Sequence, residues 1–202
     1  MTVTGVIQAG GKSTRMGGRP KALIELGGKR IIERVVAALS PALSDLLIVT
    51  NTPDLYGFLG LPMVPDVFPD GGSLGGIYSG LKAVGGDAAF TVACDMPFLH
   101  SEVVRLVVAR AGEADVVIPK LGEQYETLCA CYAKTCLPHM ETSLLARRLK
   151  IAGFFEHVRV LEIPAADVAR YMDPEICFMN VNTPEEFALS REKEGELPAW
   201  WA

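Results

Sequence analysis

Gln8-Ala9-Gly10-Gly11-Lys12-Ser13-Thr14-Arg15-Met16-Gly17-Gly18-Arg19-Pro20-Lys21 follows directly on the apolar run Val3 to Ile7, and this junction decides the fold class. A short buried strand that empties into a glycine-rich loop is where doubly wound α/β folds place their ligands. Residues 12 to 21 carry four cations and no acid in a chain of net charge −5, so the ligand expected there is an anion. Gly11-Lys12-Ser13 is not a Walker A loop, because the glycine required five residues before Gly11 is Val6. The dinucleotide fingerprint G-x-G-x-x-G is absent as well. What is left is a long glycine turn whose backbone N–H groups can approach phosphate oxygens, with Arg15 and Lys21 as charges for a polyphosphate.

Outward from the loop, Ile31, Ile32, Val35, Val36 and Leu39 recur at helical spacing after the Gly27-Gly28 turn. Leu46 to Val49 reads as a second strand ending at Thr50-Asn51, and Met63-Val64 as a short third ending at Asp66. A second glycine-rich stretch, Asp70 to Gly76, opens a helix with Leu74, Ile77, Leu81 and Val84 on one face. Ala88 to Ala93 is continuously apolar, as a parallel strand covered on both faces must be, and runs into Cys94-Asp95-Met96-Pro97. Ser101 is expected to cap the following helix, with Glu102 in its first turn and Val103, Leu106 and Val107 facing inward. Asp115 to Pro119 reads as a fifth strand. This alternation implies a mostly parallel sheet flanked by helices, with right-handed crossovers.

From Glu123 the pattern changes. Tyr125 to Tyr132 reads as a strand with no long helix before it, which brings an antiparallel strand or β-ribbon into the second half. Leu137 to Leu149 reads as a helix carrying Arg147, Arg148 and Lys150, Val158 to Ile163 as a strand stopped by Pro164, and Ile176 to Val181 as the last strand. Thr183-Pro184-Glu185-Glu186 has the form of a capping box with proline at the first helical position.

The length of 202 residues suits one domain spanning 1–202, and no repeat or linker divides it. Half of the residues are hydrophobic and 21% charged, an ordinary globular composition. The acidic balance argues against a nucleic-acid partner, which needs a basic face. Neither a secretory leader nor an apolar run of about 18 residues is seen, so no membrane is implied and a cytoplasmic location is expected. The five cysteines suggest no disulfide framework. Cys129 and Cys131 lie two apart on one strand and, with Cys136 and His139, do not make a zinc knuckle; they read as small buried residues.

Asp95 follows a fully apolar strand, so its carboxylate emerges at a carboxyl end, where a hard cation such as Mg²⁺ is held by one or two carboxylates and phosphate oxygens. Asn51 and Asp66 stand at two further strand ends, where they either read a ribose or base or merely close a turn.

These segments carry a resemblance. A-G-G-x-S-x-R-M-G-G-x-x-K-A-L, G-x-L-G-G-I, Cys94-Asp95-Met96-Pro97 and Asn180-Val181-Asn182-Thr183-Pro184-Glu185-Glu186, in that order over nearly the full chain, resemble the molybdenum cofactor guanylyltransferases. The first motif is shared with nucleotidyltransferases acting on sugar phosphates and isoprenoid precursors; the closing segment narrows the match. The chain departs from that family at Gln8, where leucine is more frequent, and at Pro20, where aspartate is common.

The resemblance implies a Rossmann-like nucleotidyltransferase fold that joins GMP from GTP to the terminal phosphate of molybdopterin and releases pyrophosphate. It implies an N-terminal part for GTP and a C-terminal part for the pterin. Gln8, Ala9, Gly10, Gly11 and Lys21 would contact GTP, with Asn51 and Asp66 on the nucleoside side. Asp95 would hold Mg²⁺, Lys21 and Arg15 would serve catalysis, and Arg15, Arg148, Asn180 and Asn182 would face the pterin. Cofactor-delivery proteins stand as partners to be considered. Two alternatives stay open: a molybdopterin cytidylyltransferase or sugar-phosphate nucleotidyltransferase, since Pro20-Lys21 is also found in related enzymes, and a non-catalytic nucleotide or cofactor carrier.

Overall fold

The apolar runs become strands. The computed structural model describes residues 1–10 and 20–197; Gly11, Arg15 and the Trp200-Trp201 tail lie outside the described residues. β1 is Val3–Gln8. After the first loop come two short strands, β2 (Glu25–Leu26) and β3 (Lys29–Arg30), which form a hairpin that the sequence marked only as a turn. Gly27 and Gly28 both have positive φ, 56° and 77°, the requirement of a two-residue hairpin loop matching strand twist. α1 (Ile31–Leu39), β4 (Leu46–Val49), β5 (Met63–Val64), α2 (Gly72–Ala83) and β6 (Ala88–Ala93) then follow where the periodicity placed them.

Next come α3 (Ser101–Ala109), β7 (Val116–Leu121), β8 (Gln124–Tyr125), β9 (Cys129–Ala133), α4 (Leu137–Leu145), β10 (Val160–Pro164), α5 (Ala165–Val168), α6 (Pro174–Cys177) and α7 (Pro184–Glu196). Five expectations are corrected here. Ser101 is the first helical residue, and the cap is His100, whose Nδ1 accepts from Glu102 N at 3.1 Å. The strand read as Asp115 to Pro119 is displaced to Val116–Leu121, and the one read from Val158 begins only at Val160. The run Tyr125 to Tyr132 divides in two: β8 folds back on β7 through the Gly122 turn, and Glu126–Leu128 form a second turn, closed by Cys129 N on Glu126 O at 2.9 Å. α4 stops at Leu145, because Arg148 N bonds Ser143 O (2.8 Å) and Arg147 N bonds Leu144 O (3.0 Å) around Arg147 at φ 53°. That is a Schellman ending with arginine where glycine is usual.

The last strand expected, Ile176 to Val181, does not form. Asp173 caps a short helix instead, accepting from Glu175 N at 2.9 Å with Pro174 in the first turn. Cys177 at the end of that helix, and Phe178 and Val181 in the irregular chain after it, fill a core, which is why the run imitates a strand in sequence.

The main sheet runs β10-β7-β9-β6-β1-β4-β5, with β8 paired to the edge of β7. β1 is parallel to both β4 and β6, β4 to β5 and β7 to β10, whereas β9 is antiparallel between β6 and β7. The expected mostly parallel α/β sheet with an antiparallel strand in its second half is what is observed. Side chains alternate into two cores. Ile7, Ile48, Phe90 and Val92 pack with α1 and α3; Val6, Leu47, Val49 and Ala89 pack with α2 and α4. α2 lies close on β1 because Gly76 and Gly80 face it: a Cβ on Gly80 would overlap Val6, and one on Gly76 would overlap the Gln8 carboxamide. The chain leaves β1 for β4 and β5 on one side and returns to β6 on the other, so a crevice opens where these strands end.

Candidate active site

Four strand ends build the crevice: Gln8-Ala9-Gly10 after β1, Thr50-Asn51 after β4, Asp66 just beyond β5 and Cys94-Asp95 after β6. Backbone bonds tie them together, Ala9 N to Val49 O at 2.9 Å and Cys94 N to Gln8 O at 3.2 Å. The result is a cleft of about 800 Å³ whose walls include Gly10, Lys21, Asn51, Tyr56, Asp70 and Asp95. A smaller pocket of about 220 Å³ opens beside it, lined by Gln8, Asn51, Asp66, Ser73 and Gly76 and sharing Gly10, Asn51, Pro69 and Gly72 with the larger one.

In the larger cleft Lys21 and Asp95 come together from opposite ends of the first half of the chain. Lys21 starts a single 3₁₀ turn directly after Pro20. Burial, the strongest influence, pushes the Asp95 carboxyl above the usual aspartate range; Lys21 and a backbone hydrogen bond pull it down, and Glu186 pushes it further up. A half-buried carboxylate lining such a cleft suits a divalent metal that also takes phosphate oxygens and waters. Among the described residues no group of three or more His, Cys, Asp or Glu could hold a metal by itself. Asp95 and Asp70 are the carboxylates that line the cleft among the described residues.

Among the described residues the cleft's thiol and phenol are not activated nucleophiles. Cys94 lines it, but burial and then Asp95 push its thiol up to about 12. Tyr56 is likewise pushed up to about 12 by burial and then by Cys94. Both stay protonated near neutral pH.

The smaller pocket has a different chemistry. Asn51 Oδ1 accepts from Asp66 N (3.0 Å), and Asp66 Oδ1 accepts from Phe68 N (2.9 Å) and Ser79 Oγ (2.8 Å). One oxygen of each side chain is thereby spent on the loop, which orients the other polar atom of each. Gln8 Nε2 is buried without a hydrogen-bond partner among the described residues.

The residues expected to face the pterin are less gathered. Asn182 Oδ1 accepts from Lys21 Nζ at 2.7 Å, a contact spanning 161 positions. Asn180 is exposed, and its Nδ2 donates to Phe178 O at 3.4 Å. Arg148 is exposed and lines neither pocket; its neighbours Arg147 and Leu149 line a separate hollow of about 290 Å³ that shares Pro69 and Asp70 with the main cleft. Arg15 and Gly11 lie outside the described residues. Sequence reasoning did not find Tyr56, which sits in irregular chain with no periodic signal, and it read Glu186 only as a cap. Glu186 does cap α7, taking Thr183 N at 3.0 Å while Thr183 Oγ1 accepts from Glu186 N at 3.2 Å, but its charge also reaches Asp95.

A mostly parallel sheet with polar groups converging beyond its strand ends, and a lysine and a half-buried aspartate lining one cleft there, fit a nucleotidyltransferase. The chain belongs to the family of the MobA-like NTP transferase domain, whose sequence model matches residues 5–159. It is 36% identical over 191 residues to a probable molybdenum cofactor guanylyltransferase of Pelotomaculum thermopropionicum, covering 95% of this chain and 93% of that one. It is 39% identical over 186 residues to the molybdenum cofactor guanylyltransferase of Desulfosudis oleivorans, covering 91% and 92%. Among solved structures, the molybdopterin-guanine dinucleotide biosynthesis protein A of Archaeoglobus fulgidus superposes with a TM-score of 0.80 at 27% identity, covering 98% of this chain and all of that one.

Proposed function

We propose that this nucleotidyltransferase transfers GMP from GTP to the phosphate of molybdopterin, forming the guanine dinucleotide cofactor and pyrophosphate. The observation that carries the reading is the convergence of Lys21 and Asp95 in one cleft of about 800 Å³, within the ~300–1,000 Å³ usual for small-molecule sites. The polar pocket of Gln8, Asn51 and Asp66 beside it is suited to a base and ribose. Relatives named for this activity match over more than nine-tenths of the chain. Both substrates are soluble cell-internal compounds, which makes the cytoplasm the proposed location.

In this reading a molybdopterin phosphate oxygen attacks the α-phosphorus of GTP in line, and the bond from the α-phosphorus to the bridging oxygen breaks. The electron pair leaves with pyrophosphate. No covalent enzyme intermediate is needed, in keeping with the protonated Cys94 and Tyr56. No general base is needed either, since a phosphate monoester with a second pKa of about 6 is already ionised. Lys21 takes the charge that develops toward the leaving group. Asp95 would hold Mg²⁺, which when bound neutralises charge on the reacting phosphates. Asp66 and Asn51, braced by Phe68 and Ser79, present their remaining polar atoms to the nucleoside.

The test is pyrophosphate release from GTP and from CTP, each with molybdopterin and Mg²⁺. Turnover with GTP and little with CTP is expected, falling by about 10²-fold or more in Lys21→Ala and Asp95→Ala. Preference for CTP would move the chain to cytidylyl transfer, and a folded protein that makes no nucleotide-bound product would be a carrier.

A further inference from the structure

Lys21 and Asn182 belong to opposite halves of the site: the lysine follows the nucleotide loop, and the asparagine lies in the segment assigned to the pterin. Yet Lys21 Nζ donates to Asn182 Oδ1 at 2.7 Å. We infer that Asn182 is a positioning residue for the nucleotide half, holding the Lys21 ammonium ready over the cleft before a nucleotide arrives. The inference rests on the nucleotidyl-transfer reading and adds to it a second duty for this asparagine.

The physical case begins with the lysine. Its four-carbon stem has among the largest rotamer freedom of any side chain, so a phosphate that captured an untethered Lys21 would first have to order it. An ammonium carries only donors, so the Asn182 atom facing it must be the carbonyl oxygen, and this bond uses one of three N–H groups. Its further N–H groups are able to donate to phosphate oxygens.

The tether is itself rigid. Asn182 N donates to Glu186 Oε2 at 2.5 Å, within the capping box that starts α7. The preceding residue, Val181, is fully buried and donates through its N–H to Asp95 O at 3.0 Å. Asn182 is thus pinned on both sides, by α7 and by the end of β6.

Neutrality of the acceptor matters as much as its position. Asp95 and Glu186 are the acids close by. A lysine collapsed onto either would form an ion pair, spending the charge meant for phosphate and, at Asp95, the carboxylate meant for a metal. A carboxamide holds Lys21 without cancelling its charge. The nucleotide loop and the pterin segment therefore share one polar contact, through which the second-substrate side supports the first.

The test measures GTP affinity by calorimetric titration with no pterin present, using a non-hydrolysable analogue and Mg²⁺. Asn182→Ala is expected to weaken binding about three- to tenfold, the range for losing one pre-ordered side chain. The same substitution in a Lys21→Ala background should change nothing further, because the tether then has nothing to hold. Isosteric Asn182→Asp guards against simple misfolding: it keeps an acceptor but neutralises the lysine, so it too should weaken binding. An Asn182→Ala protein that melts like wild type and keeps wild-type affinity, while losing turnover, would confine Asn182 to the second substrate and overturn the inference, leaving the proposed function standing. A wild-type protein that binds neither GTP nor CTP would overturn both.

Discussion

Asp95 shows at the scale of one residue how function is held against stability. Its carboxyl sits above the ordinary aspartate value of 3.8 because burial disfavours the charge. Between 3.8 and the raised value the native state binds more proton than the unfolded chain, so stability falls as pH rises through that window and stays lower above it. Asp95→Asn has no proton to lose there. It is expected to melt higher than wild type at pH 7, by about 2–4 °C for each kcal/mol relieved, with the gain shrinking as the pH is lowered toward 3.8. Thermal melts of both proteins between pH 4 and 8 check this, and a variant no more stable than wild type at pH 7 would mean that burial costs the carboxylate nothing. The position of Asp95 was legible in sequence, since an apolar run ending in a carboxylate leaves it at a strand end. Its raised proton affinity was not, because burial, Lys21 and Glu186 meet it only through folding.

At the scale of the element, helix starts were easier to read than helix stops. The capping box at Thr183 to Glu186 forms as its residues dictate, because the bonds lie within four residues of one another. The end of α4 was misread, because arginine takes the left-handed turn that sequence logic reserves for glycine. An L side chain in that conformation costs about 1–2 kcal/mol, so Arg147→Gly should leave α4 unchanged and raise the melting temperature by about 2–8 °C. A fall would show that the Arg147 side chain contributes more than its backbone costs. α7 invites a second prediction. Few of its side chains are buried, and it is held by Arg34, which donates to Leu26 O from Nε (3.0 Å) and Nη2 (2.7 Å) and pairs with Glu194. Arg34→Ala leaves a carbonyl and a carboxylate short of partners, a loss of about 1–3 kcal/mol. Because α7 also anchors Asn182, nucleotide affinity should drop along with the melting temperature.

Across the whole molecule, the two sheet faces tell apart what is local from what is not. Apart from the β2–β3 hairpin, the order of elements through β6 and the positions of Gln8, Asn51, Asp66 and Asp95 at strand ends were present in the chain itself, because hydrophobic period, glycine turns and caps are properties of neighbouring residues. So were the two helices that open after glycine-rich stretches. The insertion of β9 between β6 and β7, the failure of Ile176 to Val181 to become a strand, and the meeting of Lys21 with Asn182 were decided only by tertiary structure. Each depends on which edge of a sheet is open or which surface is already covered when a distant segment arrives. An apolar run states that it will be buried, but its register and partner are set by the rest of the fold. By itself, then, the sequence determined a mostly parallel α/β sheet with a basic glycine-rich stretch directly after its first strand. The tertiary structure decided that the loop's lysine is held by the far end of the chain, because a hydrogen bond across 161 residues exists only once both cores have closed.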